Sequence, residues 1–73
     1  MYTTRRILEA TPRVIKSSQL GNHTIDITQV ANGYRATLNR LEKLPLDKCS
    51  IAEAQAYAEY TLKDRAAAGL IRL

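Results

Sequence analysis

The sequence predicts an α+β domain in which an antiparallel sheet of about three strands carries one C-terminal helix on one face, in the order β-β-β-α. Three observations predict this fold: a capping box at Ser50, an Asn32-Gly33 pair between two half-apolar runs, and a Gly21-Asn22 pair upstream. The chain has 73 residues, which suits one domain. We expect that domain over residues 13–73, after an arm or short helical turn over residues 1–12.

The helix follows from its start signal and its composition. In the stretch Ser50-Ile51-Ala52-Glu53, the serine hydroxyl can accept from the amide of Glu53, whose carboxylate can reach back to the amide of Ser50. Nearly every residue from 51 to 68 is a good helix former, and Gly69 follows where a left-handed cap belongs. Its apolar stripe consists of Ile51, Ala54, Ala58, Leu62 and Ala66. Cys49 is predicted to pack under the helix start.

The stretch ITQVANGYRATL, residues 27–38, predicts a hairpin with a type I′ turn centred on Asn32-Gly33. That register directs a mostly apolar face toward the helix, with Arg40 at its end. The outer face would then hold three cross-strand pairs, which are Asp26 with Asn39, Thr28 with Thr37, and Val30 with Arg35. A bulge at the turn would shift one strand and change these pairs.

The flanking segments complete the predicted sheet. Residues 13–20 are predicted to form a first strand, which the Gly21-Asn22 turn leads into the next one. Residues 42–48 are predicted to be a loop or a short edge strand, because Pro45 cannot occupy a central position.

Several function classes find no support in the composition. No apolar run is long enough to span a membrane. Cys49 and His23 are each single, so neither a disulfide nor a Cys/His zinc site is expected, and we expect a cytoplasmic protein. The three glycines stand at turns or at a cap, and no carboxylates pair in a predicted site. We therefore expect a non-enzymatic protein without a cofactor or metal.

The charge distribution suggests a polyanionic partner. The net charge is +4, and the whole excess lies in residues 1–40, because the charges of residues 41–73 cancel. Our first hypothesis is nucleic-acid binding through the sheet face and the N-terminal arm, with the arm following a backbone or a minor groove and Arg35 and Asn39 reading bases. The candidate residues are Arg5, Arg6, Arg13, Lys16, Thr28, Arg35, Thr37 and Asn39.

Three observations oppose that hypothesis. Asp26 on the same face would repel a phosphate, and a Thr-rich, Arg-containing outer face is common in any half-exposed antiparallel sheet. A net charge of +4 is also ordinary for the solubility of a small domain.

The order of elements resembles two known families. A strand, an Asn-Gly turn, a strand and a helix that opens Ser-Ile-Ala-Glu-Ala, over about residues 24–62, resemble the arm-type DNA-binding domains of phage integrases. The same stretch equally resembles antitoxins with a partial ribonuclease-H-like fold, in which a strand like Asn32-Gly33-Tyr34-Arg35-Ala36 precedes the helix. The first resemblance implies DNA binding and the second implies a protein partner.

The second hypothesis is therefore a protein-binding inhibitor or adaptor, of an antitoxin-like or phage-encoded anti-defence type, that docks on an acidic protein surface. An open sheet edge at residues 13–19 or 43–47 could pair with a partner's strand, and Tyr2, Tyr57 and Tyr60 could anchor the contact. The core is thin, with neither Trp nor Phe, so a homodimer is expected to supply further burial.

Overall fold

A computed structural model describes residues 13–73, so the predictions for residues 1–12, including Arg5 and Arg6, lie outside the described residues. The elements are β1 (Val14–Leu20), β2 (His23–Val30), β3 (Gly33–Leu38), β4 (Glu42–Lys43) and α1 (Ile51–Ala67). The four strands form one antiparallel sheet in the order β1-β2-β3-β4, with the helix last in the chain. The predicted α+β class is confirmed, and β4 adds a short fourth strand at the edge, within the stretch 42–48 that was predicted as a loop or a short edge strand.

The core lies between α1 and the inner face of the two central strands. Ile25 and Ile27 of β2 and Ala36 and Leu38 of β3 are buried there, because alternate residues of a strand share a face. From the helix and the loop before it, the core also receives Leu44, Ala54, Ala58 and Leu62. The small side chains of Ala54 and Ala58 let the helix lie close to the sheet.

The hairpin exists, but its predicted register is wrong by two residues. Val30 pairs with Gly33, Thr28 with Arg35 and Asp26 with Thr37, so Ala31 and Asn32 form the two-residue loop. A shift of two residues returns every side chain to the same face, and the predicted inner and outer faces of β2 and β3 therefore survive.

The reason for the register is a close approach of backbone to Gly33. A Cβ atom at this position would lie 2.2 Å from the carbonyl oxygen of Lys48, and its φ is +141°. Tyr34 and Lys48 exchange two backbone hydrogen bonds, both of 2.8 Å, directly beside it. Glycine is thus required at the start of β3 rather than in the turn.

Two consecutive residues with φ of about +60° occur in the turn between β3 and β4. Asn39 and Arg40 have φ of 54° and 61°, and the amide of Leu41 donates to the carbonyl of Leu38 at 3.1 Å. The geometry that we predicted for Asn32-Gly33 is therefore found here. As a consequence, the predicted place of Arg40 at the end of the inner face is wrong, because its guanidinium lies beside Asp26 on the outer face.

The helix begins where the capping signal indicated. The Ser50 hydroxyl accepts from the amide of Glu53 at 3.1 Å, and Gly69 follows the helix with φ of +79°. Among the described residues Cys49 is the free cysteine and it is exposed. The prediction that it packs under the helix start is wrong, because the backbone at this point turns toward Tyr34 and Gly33.

The last residues return to the turn between β1 and β2. A Cβ atom on Gly21, whose φ is +61°, would lie 2.3 Å from the carbonyl carbon of Leu73. His23 Nε2 lies 2.6 Å from the carbonyl oxygen of Arg72, while His23 Nδ1 lies 3.1 Å from the side-chain amide of Asn39. These partners fit the tautomer with its proton on Nε2, so His23 holds the C-terminal segment against the sheet.

Candidate functional site

The outer face of the sheet carries an open depression of about 420 Å³, lined by Val14, Ser17, Asp26, Thr28, Thr37 and Arg40. Its floor is formed where β1, β2 and β3 lie side by side. Three of the six lining residues are polar but uncharged, Val14 is apolar, and the remaining two have opposite charges. The depression therefore carries no excess of positive charge.

Asp26 lies at the centre of this face and is 5% exposed. The Ser17 hydroxyl donates to Asp26 Oδ1 at 2.7 Å, and Arg40 Nε lies 3.5 Å from Asp26 Oδ2. These contacts supply the partners that a carboxylate requires away from water. Asp26 thus ties β1 and the β3–β4 turn to the middle strand, and it places negative charge where a phosphate would have to lie.

Arg35 projects from the outer face, as predicted, but it is held by Asp47. Its Nε donates to Oδ1 at 2.9 Å and its Nη2 donates to Oδ2 at 3.3 Å. The hydrogen bond from Arg35 to this carboxylate, and then its charge, raise the pKa of the guanidinium above its ordinary value. A bidentate pair of this kind occupies the donor fork that would otherwise read a guanine or bind a phosphate.

The other predicted site residues do not come together. Thr28 and Thr37 lie on the outer face beside Asp26. Lys16 pairs with the buried Ile27, so its side chain lies on the helix side of the sheet. Arg13 is exposed immediately before β1.

Asn39 was predicted to lie opposite Asp26 on the outer face, which is wrong, because it lies in the β3–β4 turn. Its side-chain Oδ1 accepts from the amide of Thr24 at 3.0 Å. Its Nδ2 is engaged with His23, so both ends of the Asn39 amide serve the turn.

The edge of β1 was predicted, at residues 13–19, as one of two candidate open edges for a protein partner. Among residues 13–73, β1 has a strand partner on one side alone, and we call its other side the β1 edge. Regular pairing with β2 covers Lys16 to Leu20, and a shift in register between Val14 and Lys16 ends it. Val14 is 52% exposed and Ile15 is exposed as well, so apolar surface lies at one end of this edge.

The opposite edge of the sheet is closed by comparison. β4 has two residues, and the following Leu44 donates its amide to the carbonyl of Ala36 at 2.9 Å and is buried. Arg65 of α1 forms a bidentate pair with Glu42, and its Nη1 donates to Oε1 at 2.7 Å. Lys48 Nζ lies 4.7 Å from the centre of the Tyr57 ring.

Within residues 13–73 the structure places no three metal-ligating side chains together. None of the described helices has the length and apolar character needed to cross a bilayer. No family model matches the chain, and neither a curated protein nor a solved structure matches it.

Proposed function

We propose that the protein is a non-enzymatic protein-binding module that docks by adding the β1 edge to a strand of its partner. The observation that carries this proposal is the run from Lys16 to Leu20, which is regular, mostly exposed and without a strand partner on its outer side among the described residues. Strand addition of this kind uses main-chain hydrogen bonds for affinity and the flanking side chains for specificity.

The orientation of the backbone along this run follows from its turn. Leu20 and His23 close a two-residue loop in which Gly21 has φ of +61°, and the closing pair of such a hairpin is hydrogen-bonded. Because hydrogen-bonded and non-hydrogen-bonded pairs alternate, Lys16, Ser18 and Leu20 bond to β2, whereas Ser17 and Gln19 direct their N–H and C=O groups outward. The carbonyl of Thr24 accepts from Asn39 on the other side of β2, in agreement with this alternation.

The charges of β1 suit a protein surface. Lys16 is the one charged residue in VIKSSQL, the sequence of β1, and the other side chains are apolar or uncharged. A partner strand would therefore meet hydroxyls, an amide and aliphatic groups without a large desolvation cost. Cys49 is the chain's one cysteine, and an unpaired thiol agrees with our assignment of this activity to the cytoplasm.

Nucleic-acid binding is the second candidate. Arg13, Lys16 and Lys43 form no ion pair with any carboxylate among the described residues, and the net charge of +4 favours a polyanion. The buried carboxylate of Asp26 and the pairing of Arg35 with Asp47 count against it, because they remove positive potential from the face that was predicted to read bases.

The test uses two variants that differ in one backbone donor. Gln19→Pro removes the outward N–H, which an edge strand tolerates because this group takes no part in the ladder with β2. Gln19→Ala removes the same side chain and keeps the N–H. With tagged wild type, Q19A and Q19P as baits in nuclease-treated lysate, we expect wild type and Q19A to retain the same protein and Q19P to lose it.

Circular dichroism of both variants must first show the wild-type spectrum. Capture of the same protein in equal amounts by Q19P and Q19A would reject docking through the β1 edge. Binding to duplex DNA that weakens with salt, at a slope of log K on log salt of about −3, would instead support the second candidate.

A further inference from the structure

We propose that the strand that fills the β1 edge is β1 of a second copy of this chain, paired antiparallel with Ser18 opposite Ser18. This inference rests on the proposed docking function and identifies its partner. The two copies would join their four-stranded sheets into one continuous sheet across a two-fold axis.

The length of the regular edge selects this register. The bulge between Val14 and Lys16 bounds the run at one end and the Gly21 turn bounds it at the other, which leaves five residues with Ser18 at the middle. An antiparallel pairing centred on Ser18 sets Lys16 opposite Leu20 and Ser17 opposite Gln19, and it uses all five residues of both copies.

The backbone groups agree with the same centre. Ser17 and Gln19 direct their N–H and C=O groups outward and stand symmetrically about Ser18. In this register each Ser17 meets a Gln19, so the two pairs form four main-chain hydrogen bonds. A register displaced by one residue would set outward groups against groups that already bond to β2.

The side chains are compatible with a two-fold axis at Ser18. Lys16 of one copy lies beside Leu20 of the other, so the two lysines stay apart, and like charges directly opposite are avoided. The serine pair at the axis is small enough for close approach.

Helix α1 carries a carboxylate, that of Glu59, near the position that Lys16 of the second copy would occupy. The Ser18 hydroxyl donates to Gln55 Oε1 at 3.1 Å, and Gln55 Nε2 donates to Glu59 Oε2 at 2.8 Å. Glu59 lies one turn further along α1, toward its C-terminal end. The residues after that end reach Gly21, at the end of β1 that carries Leu20. Lys16 of the second copy, which stands opposite Leu20, therefore approaches the carboxylate of Glu59.

The experiment is disulfide trapping in the full chain with Cys49→Ser. Directly opposed residues of a non-hydrogen-bonded pair have Cα atoms about 4.5 Å apart, which lies within the roughly 4.4–6.8 Å that a disulfide spans. Ser18→Cys should therefore give a covalent dimer on mild oxidation. Lys16→Cys is the matched control, because its two copies would be about 13 Å apart along the strands and cannot be bridged.

Sedimentation of the wild type, Q19A and Q19P tests the same pairing without a covalent bond. We expect wild type and Q19A to dimerise, and Q19P to weaken the dimer at least about tenfold, because symmetry removes two hydrogen bonds. Lys16→Glu and Glu59→Lys should each weaken it about fivefold, and the double variant should restore it.

A wild type that stays monomeric up to its solubility limit overturns the inference, as does a dimer bridged by Lys16→Cys and not by Ser18→Cys. A monomer whose capture of another protein requires the Gln19 N–H would overturn this inference alone and leave the docking function supported. If Q19P retains both the dimer and the capture of another protein, this inference and the docking function are both overturned.

Discussion

The two edges of the sheet differ in how the rest of the described chain covers them. At the β4 edge the strand has two residues, its successor Leu44 enters the core, and the chain then returns to pair Lys48 with Tyr34. At the β1 edge a seven-residue strand ends the described sheet, and its residues are mostly exposed. Short strands and covering loops are common protections of an edge, whereas among residues 13–73 the β1 edge has Lys16 and a bulge at one end.

The difference between the two edges separates the residues that stabilise the fold from those that are available for binding. The contacts that hold the fold together concentrate on β2, β3 and α1, and the loop from Leu44 to Ser50 adds to them at the β4 side. β1 supplies Leu20 to the margin of the core, and its other side-chain links to the fold are the hydrogen bonds of Ser17 to Asp26 and of Ser18 to Gln55. Residues of the β1 edge can therefore change with small effects on unfolding, which is the condition for a surface that binds.

The largest contrast is expected between two glycines. Gly33→Ala would drive a Cβ against the backbone carbonyl of Lys48 and disturb both hydrogen bonds between Tyr34 and Lys48, in addition to the strain of a φ of +141°. We expect a loss of about 3–5 kcal/mol in the free energy of unfolding, measured with urea.

Gly21→Ala is the matched control at the β1 side. Its Cβ would meet the backbone of Leu73, an exposed residue outside the helix and the strands that can shift, so the cost is mainly that of a left-handed φ, about 1–2 kcal/mol. Equal losses for the two variants would mean that the closed edge contributes no more to stability than the β1–β2 turn.

The glycines also show which parts of the fold could be predicted from the sequence. Asn32-Gly33 predicted that a hairpin exists, and the strand alternation predicted which residues of β2 and β3 are buried. The register was wrong because the need for glycine at position 33 arises from Lys48, which is distant in sequence. Local turn statistics contain no information about such a contact.

The second contrast is between Leu44 and Val14. Leu44 is 3% exposed beside the β4 edge, so Leu44→Ala should cost about 2–4 kcal/mol through lost burial and the cavity left behind. Val14→Ala on the β1 side, where the side chain is half exposed, should cost less than about 0.5 kcal/mol. Thermal unfolding of both variants provides the measurement, and comparable midpoints would contradict the division between the edges.

The candidate site was harder to predict than the fold, for reasons that Lys16 and Asp47 illustrate. Lys16 lies on the helix side because its strand pairs it with Ile27, and counting basic residues does not determine a face. Asp47, in a stretch predicted as a loop or short edge strand, neutralises Arg35 through the tertiary fold. The β1 edge was visible as one of two possible open edges, and the strand order was needed to choose between them.

The smallest expected effect is the pH dependence of the pair between Glu42 and Arg65 at the β4 edge. The hydrogen bond from Arg65 lowers the pKa of Glu42 below its ordinary value of 4.5. A lowered pKa in the folded state stabilises the protein at pH values above the ordinary pKa, and that contribution is lost as the pH falls through the lowered pKa.

Glu42→Gln should therefore cost at most about 1 kcal/mol at pH 7, as expected for a pair near the surface, and the difference from wild type should shrink toward pH 3. Urea unfolding of the wild type and of Glu42→Gln at both pH values provides the measurement. A loss for Glu42→Gln that is the same at pH 7 and pH 3 would show that Glu42 acts through packing rather than through its charge.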